Sequence, residues 1–366
     1  MDFAYTSEQE SLRDSVKRFV EREFDWEERF RIIRSTEGVA AGHWAIFAEL
    51  GWLGAGLSEA AGGFGGGAIE NALIAEELGR GLVTEPFIAH VVATQLLAAI
   101  GGDVVADLIA GLVMGEKRIV PALQEPVGRG DWRLIETKAE GHVLNGVKSL
   151  VEGGATAEQL IVSAQDGDST SLYLVDLQTA GVTRTIYRTL DNRRVADVRL
   201  DNVSGTLLAS GPEADAAINR AVEHGIVALC GEALGVMDTA LWTTRDYLKV
   251  RKQFGTAIGN FQALQHRMAD MLIETEMARS ILFHLLGAMA DGDDDARAAA
   301  ISAAKTQASS GGIFVGSQAI QLHGGIGVTE ELNISHHYRR LYVIARQFGD
   351  VELHLARFAE SVDRLV

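Results

Sequence analysis

Arg251-Lys252-Gln253-Phe254-Gly255, running on to Phe261-Gln262, and Gln318-Ala319-Ile320-Gln321-Leu322-His323-Gly324-Gly325-Ile326-Gly327 are the two stretches on which the reading of this chain turns. Taken singly, a basic residue beside a Phe-Gly pair and a Gly-Gly pair are ordinary helix punctuation. Their order and their long helical flanks give them weight. Ala214 to Val250 runs into the first stretch almost without a breaker, with Ile218, Leu229, Met237, Leu241 and Leu248 among its apolar positions. Its small residues Cys230, Gly231 and Gly235 permit close helix approach. Phe261 to Met289 follows, then the acidic loop Asp291-Gly292-Asp293-Asp294-Asp295, a helix from Ala296 to Gln321, and a last helical region from Ile334. Four long helices joined by short loops predict a four-helix bundle over residues 213–366.

Upstream the pattern changes twice. Residues 1–118 read as a helical domain. Ser7-Glu8-Gln9-Glu10 has capping-box spacing, and Leu12, Val16, Phe19 and Val20 form an apolar stripe. Trp44, Phe47, Leu50 and Leu53 predict a further helix, and Ile69 to Leu78 another, stopped at Gly79. The glycine run from Gly62 to Gly67 lacks the preceding strand and following Lys of a phosphate cradle, and is read as a connector. Residues 119–212 carry short alternating or apolar runs: Leu160 to Val162, Leu172 to Val175, Val182 to Tyr187 and Val195 to Leu200. Asn145-Gly146 between Val143-Leu144 and Val147 to Val151 is a hairpin signal. This segment predicts an antiparallel β barrel or sandwich. The fold class is therefore α+β multidomain, helical at both ends with a β domain between.

Composition bounds the function. At 366 residues the chain exceeds what one core usually serves. A net charge of −17 argues against nucleic acid or an anionic membrane as partner. The single cysteine, Cys230, allows no intrachain disulfide and no thiolate metal site, and is read as inert core. The N-terminus lacks a basic region followed by an apolar run, and no apolar stretch is read as long enough and uncharged enough to span a bilayer. A soluble cytoplasmic protein is the expectation.

The two glycine-bearing stretches, with this order of domains, resemble the acyl-CoA dehydrogenase family over essentially the whole chain. That resemblance implies α,β-desaturation of an acyl-CoA thioester. A carboxylate takes the α-proton while the β-hydrogen leaves as hydride to FAD, with an electron-transfer flavoprotein or similar acceptor downstream. It also implies a tetramer in which each FAD spans a subunit interface. On that pattern Arg251 supplies a charged fork to the pyrophosphate, Phe254 and Phe261 offer apolar surface, Gln262 offers an amide, and Gln253 is counted among the cofactor-binding residues. Gln321, Leu322, His323, Gly324 and Gly325 let backbone approach the cofactor.

The same resemblance shows where the pattern breaks. Counting without a gap from Gly325 to the usual seat of the catalytic Glu gives Phe348, and a phenyl ring takes no proton. The alternative seat falls at Gly225, followed by Ile226. The flavin-facing segment is Gly146-Val147-Lys148-Ser149-Leu150-Val151-Glu152-Gly153, with Leu150 for a stacking Trp and Glu152 for a hydroxyl donor. A carboxylate there opposes a ring that gains negative charge. Its companion segment survives only as Gln124-Glu125-Pro126-Val127-Gly128-Arg129-Gly130. The chain thus resembles the non-catalytic small subunits of heterotetrameric acyl-CoA dehydrogenases, such as those acting on pimeloyl-CoA or steroid side chains, and an α2β2 assembly with a Glu-bearing companion is expected. Two alternatives stand beside it. One is a self-sufficient homotetramer with a relocated base, Asp350 first, then Glu352 or Glu223. The other is a flavin-free scaffold. His336-His337 lack acidic companions at metal spacing, and no metal is expected.

Overall fold

The computed structural model describes residues 4–291 and 293–365. Six helices come first: α1 Ser7–Glu23, α2 Trp26–Arg34, α3 His43–Glu49, α4 Ala68–Arg80, α5 Phe87–Ile100 and α6 Asp103–Val113. Eight strands follow: β1 Ile119–Ala122, β2 Lys138–Glu140, β3 Val143–Glu152, β4 Gln159–Asp166, β5 Ser169–Asp176, β6 Val182–Arg188, β7 Arg194–Ser204 and β8 Thr206–Ser210. The C-terminal part holds α7 Pro212–Val250, the short pair β9 Lys252–Gln253 and β10 Thr256–Ala257, α8 Gln262–Asp291, α9 Asp294–His323, α10 Ile334–Ile344 and α11 Val351–Leu365.

The contacts group this chain into two compact units. One comprises residues up to Arg29, Ala72–Val83 and Val227 onward; the other comprises Phe30–Asn71 and Thr84–Ile226. The second unit is organised on one sheet in the order β6-β7-β3-β2-β4-β5-β8, with β1 alongside β4. The sheet is mixed. β1 and β2 both pair parallel to β4, whereas the other ladders are antiparallel. An all-antiparallel domain was the expectation; β4, an almost unbroken apolar run buried from Leu160 to Ala164, explains the difference. A strand covered on both faces reads as continuous rather than alternating. Leu144, Leu160, Val162, Tyr173, Val175, Val198 and Val203 form the centre of that core.

In the first unit α9 packs against α8, α10 and α11, and Met237 of α7 lies against Gly311 of α9. A buried bidentate pair, Arg340 to Glu232 at 2.8 and 2.5 Å, ties α10 to α7. The last helix of the bundle is broken into α10 and α11 by Gln347-Phe348-Gly349-Asp350.

Four local expectations are corrected. The capping box is Thr6 with Gln9, one residue earlier than read from Ser7, because Thr6 stays extended and its hydroxyl accepts from the Gln9 N–H. Gly79 does not stop α4, which continues to Arg80; a Cβ there would stand 2.4 Å from the Glu232 carbonyl oxygen, so the glycine permits a close helix crossing. Asn145-Gly146 is no turn, since β3 runs straight through it with a bulge between Leu144 and Gly146. Finally, α7 is long and apolar enough to cross a membrane by composition, but 89% of its apolar window is buried within the protein. It reads as a core helix.

Candidate functional site

Helix α7 ends at Val250, and the Arg251 N–H still bonds the Tyr247 carbonyl at 2.9 Å. The chain then turns back on itself. Lys252–Gln253 pairs with Thr256–Ala257 through a two-residue turn in which Phe254 has φ 54° and Gly255 φ 82°. Two positive φ values in succession are the signature of a type I′ hairpin turn. Glycine accepts that conformation freely, whereas a phenylalanine there costs about 1–2 kcal/mol. Burial does not repay it, since Phe254 is 92% exposed. Its ring meets only the edge of Phe261, with centroids 6.1 Å apart. Arg251, Gln253 and Gln262 are exposed as well, and Arg251 has no ion-pair partner among the described residues.

The second stretch closes α9. Leu322 and His323 are buried, whereas Gln321, Gly324 and Gly325 are exposed. Gly324 takes φ 65° as the helix ends. Gly325 is different: its φ is not positive, and a Cβ built there meets nothing within 4 Å. Neither backbone conformation nor packing within the chain calls for glycine at that position. His323 stacks on Tyr247 with ring centroids 4.3 Å apart, and the Tyr247 hydroxyl reaches the His323 carbonyl at 3.4 Å. Tyr247, one turn before Arg251 on α7, thereby brings the two stretches together. Burial lowers the His323 pKa, so the ring is neutral; Nδ1–H donates to the Ala319 carbonyl, leaving Nε2 buried without a partner. Of the residues expected to hold cofactor, Leu322 and His323 thus present no exposed side chain.

Of the positions expected to carry a base, Gly225 is buried, Phe348, Asp350 and Glu223 are half-buried, and Glu352 is exposed. Phe348 takes φ 56° and Gly349 φ 102°. The turn is pinned on two sides: Lys305 Nζ donates to the Gly349 carbonyl at 2.9 Å and to Ser309 Oγ at 2.9 Å, and His354 Nε2 donates to the Phe348 carbonyl at 2.9 Å. Burial pushes the Lys305 ammonium down to about 8 and His354 down to about 4. Asp350 caps α11, Oδ1 accepting from the Leu353 N–H at 3.0 Å. Its second oxygen lies 3.7 Å from Arg346. Gly225 is buried within α7, and Glu223 sits 3.7 Å from Arg220.

The sheet segments are likewise occupied. Lys148 Nζ is fully buried and donates to Glu125 Oε1 at 2.5 Å and Ser163 Oγ at 3.0 Å. Burial draws the lysine pKa down to about 8 against the attraction of Glu125. Glu125 also accepts from the Glu136 and Thr137 N–H groups, so it anchors the 125–137 loop. Leu150 is 45% exposed at φ 52°, its N–H bonded to Asp197. The Glu152 carboxylate, expected to stand alone against a reduced ring, is paired with Arg193 at 3.1 Å. Sequence reading missed Arg193 and Lys305; no spacing rule points to either, because each partner lies some forty residues away in the chain.

With this geometry in hand, the comparisons with known proteins are direct. Residues 6–106 match the N-terminal domain of acyl-CoA dehydrogenases and residues 216–362 match the C-terminal domain. A solved Tcur3481–Tcur3483 steroid ACAD variant is 31% identical over 98% of both chains, with a TM-score of 0.89. The chain belongs to the acyl-CoA dehydrogenase family.

It is an oxidoreductase of that family by descent. The probable acyl-CoA dehydrogenase YngJ of Bacillus subtilis is 28% identical over 392 residues, covering 100% of this chain and 98% of that protein. Acyl-CoA dehydrogenase IpdE2 of Mycolicibacterium smegmatis is 28% identical over 363 residues, covering 98% and 99%. The ChsE4–ChsE5 complex of Mycobacterium tuberculosis shares the fold, with a TM-score of 0.89 at 24% identity over 99% of both chains.

Proposed function

We propose that this chain is the FAD-gripping, non-catalytic subunit of a heteromeric acyl-CoA dehydrogenase, in which a companion subunit supplies the catalytic carboxylate. The observation that carries the reading is the fate of the carboxylates. Phe348 and Gly225 stand at the two seats of the base, and Asp350, the nearest substitute, has one oxygen engaged as a helix cap.

The residues of the two glycine-bearing stretches fit the phosphate- and adenine-bearing part of FAD. Arg251 is an unpaired, exposed guanidinium suited to a pyrophosphate. Gly325 leaves open space that a Cβ would narrow. Phe254, held out in a strained conformation, gives the cofactor an apolar face. Bound FAD supplies the hydride acceptor of acyl-CoA desaturation. This chain's own residues then bind and orient; they abstract no proton. The Arg193–Glu152 and Lys148–Glu125 pairs balance the charge of the sheet segments.

Support for a mixed assembly comes from a solved neighbour that joins two different proteins, both named in the Tcur3481–Tcur3483 steroid ACAD. A fatty-acyl or steroid side-chain thioester is the substrate class this suggests. The experiment is to co-express the chain with a family member that possesses the Glu, purify the complex, and measure flavin per subunit for wild type and Arg251→Ala. The reading expects a yellow mixed complex that loses flavin on substitution. A colourless complex in both cases would favour a flavin-free scaffold.

A further inference from the structure

Helix α8 is held by the rest of the chain along one narrow face. From Gln262 to Ser280 it buries only Met271, Thr275 and Ala278. A helix in water owes most of its stability to a packed apolar face, and three buried positions in about five turns supply little of it. The outward side is not polar to compensate. Ile273 and Met277 of α8, with Leu355 and Phe358 of α11, line a common groove that also includes Ala303 of α9, the helix packed against both. These four large apolar side chains are 38–55% exposed. Their spacings, four residues on α8 and three on α11, put each pair on one helix face. An amphipathic helix fills a groove of this kind, its apolar side chains lying between the two ridges.

Charge narrows the choice of occupant. Among the acidic residues, lysines and arginines within four positions of the groove's lining, the exposed ones are Asp270, Glu276, Glu352 and Glu360. Arg279 and Arg357 are half-buried and Lys305 is buried. A second copy of this chain, meeting the same face about a twofold axis, would set these carboxylates against their own counterparts and oppose association. A helix edged with lysine or arginine meets them favourably. Position narrows the choice further. Gln262, counted among the cofactor-binding residues, is the first residue of α8, and Ile273 lies eleven residues on, about 16 Å along the axis. A standard interface covers about 800 Å² on each partner, a patch about 30 Å across. A subunit seated against the cofactor-holding turn therefore reaches the groove as well.

We propose that the groove between α8 and α11 is where the catalytic companion docks, laying into it an amphipathic helix flanked by lysine or arginine. Such docking rests on the mixed assembly proposed above, and adds to it the surface used and the chemistry of the partner. The apolar side chains supply the strength of the contact; the acidic rim sets its orientation and the rate of encounter.

Three forms of the chain test this: wild type, Met277→Asp, and the double variant Glu352→Lys/Glu360→Lys. Each is mixed with the Glu-bearing family member, and sedimentation velocity gives the Kd at about 0.1 and 0.5 M NaCl beside the flavin content of the complex. All three substituted residues are exposed, so the thermal midpoint of the free chain should not change. Met277→Asp should weaken the complex about tenfold or more at both salt concentrations. The charge reversal should weaken it about tenfold at low salt and much less at high salt. A yellow complex that keeps wild-type affinity in both variants would overturn the docking site and leave the proposed function standing. A colourless wild-type complex that Met277→Asp still breaks would overturn the flavin-gripping role and uphold the docking site. A free chain that forms a dimer, and loses it on Met277→Asp, would put a second copy in the groove and overturn the proposal.

Discussion

The protein contains two Phe-Gly turns built alike and used differently. Phe254-Gly255 and Phe348-Gly349 each place a phenylalanine and the following glycine at positive φ, at 54° and 82° in one and 56° and 102° in the other. Around Phe348 the chain supplies its own reason for the strain: Lys305 and His354 hold the two carbonyls, and Asp350 caps the helix that follows. Around Phe254 no such hold exists among the described residues. A two-residue hairpin carries a ring that is almost wholly in solvent. Strain repaid internally marks structure; strain left unpaid at an exposed apolar side chain marks a surface meant for another molecule. On the proposed function, the first turn grips the cofactor and the second plugs the expected seat of the base.

The comparison can be broken at either turn. The largest effect is expected beside the first. Arg251→Ala removes the unpaired guanidinium, and FAD affinity of the mixed complex should fall about 10–100-fold, read by fluorescence titration, with the thermal midpoint of the cofactor-free chain unchanged. Acid should act on the second turn and not on the first. His354 is held down to about 4, below its ordinary 6.5, so its contribution is fully present above pH 6.5 and lost as pH falls towards 4. His90 and His337, also near 4, add in the same direction. Denaturant titrations between pH 7 and 4 should show a steep loss of stability.

Next comes Lys305→Met, which leaves the Gly349 carbonyl without its donor and should cost about 1–3 kcal/mol in urea unfolding. Phe254→Ala should do the reverse: little change in stability, within about 0.5 kcal/mol, but weaker flavin retention. A destabilised Phe254→Ala would erase the contrast. The smallest effect belongs to Asp350→Asn, because asparagine caps a helix about as well as aspartate. Complex turnover should persist; its loss with FAD retained would revive the relocated base.

Much of this architecture was legible in the sequence, and the misses have physical causes. Periodicity placed the long helices and most strands because each buries one face or a whole run. It failed at Asn145-Gly146, where a bulge rather than a turn uses the glycine, and at Gly79, where helix crossing rather than termination does. The residues proposed to grip the cofactor stand out in the sequence as a motif. What was not readable is charge compensation across distance. Glu152 looked hostile to a flavin until Arg193 was placed beside it. Local pattern reports residue identity, and only the fold reports which donors are already engaged.

The central claim concerns proton abstraction, and one measurement addresses it most directly. The isolated chain, reconstituted with FAD, is mixed anaerobically with saturated acyl-CoA thioesters of straight-chain and steroid type while flavin absorbance is followed. The account predicts no bleaching by the chain alone and rapid bleaching once the Glu-bearing companion is added. Rapid flavin reduction by the chain alone would contradict it.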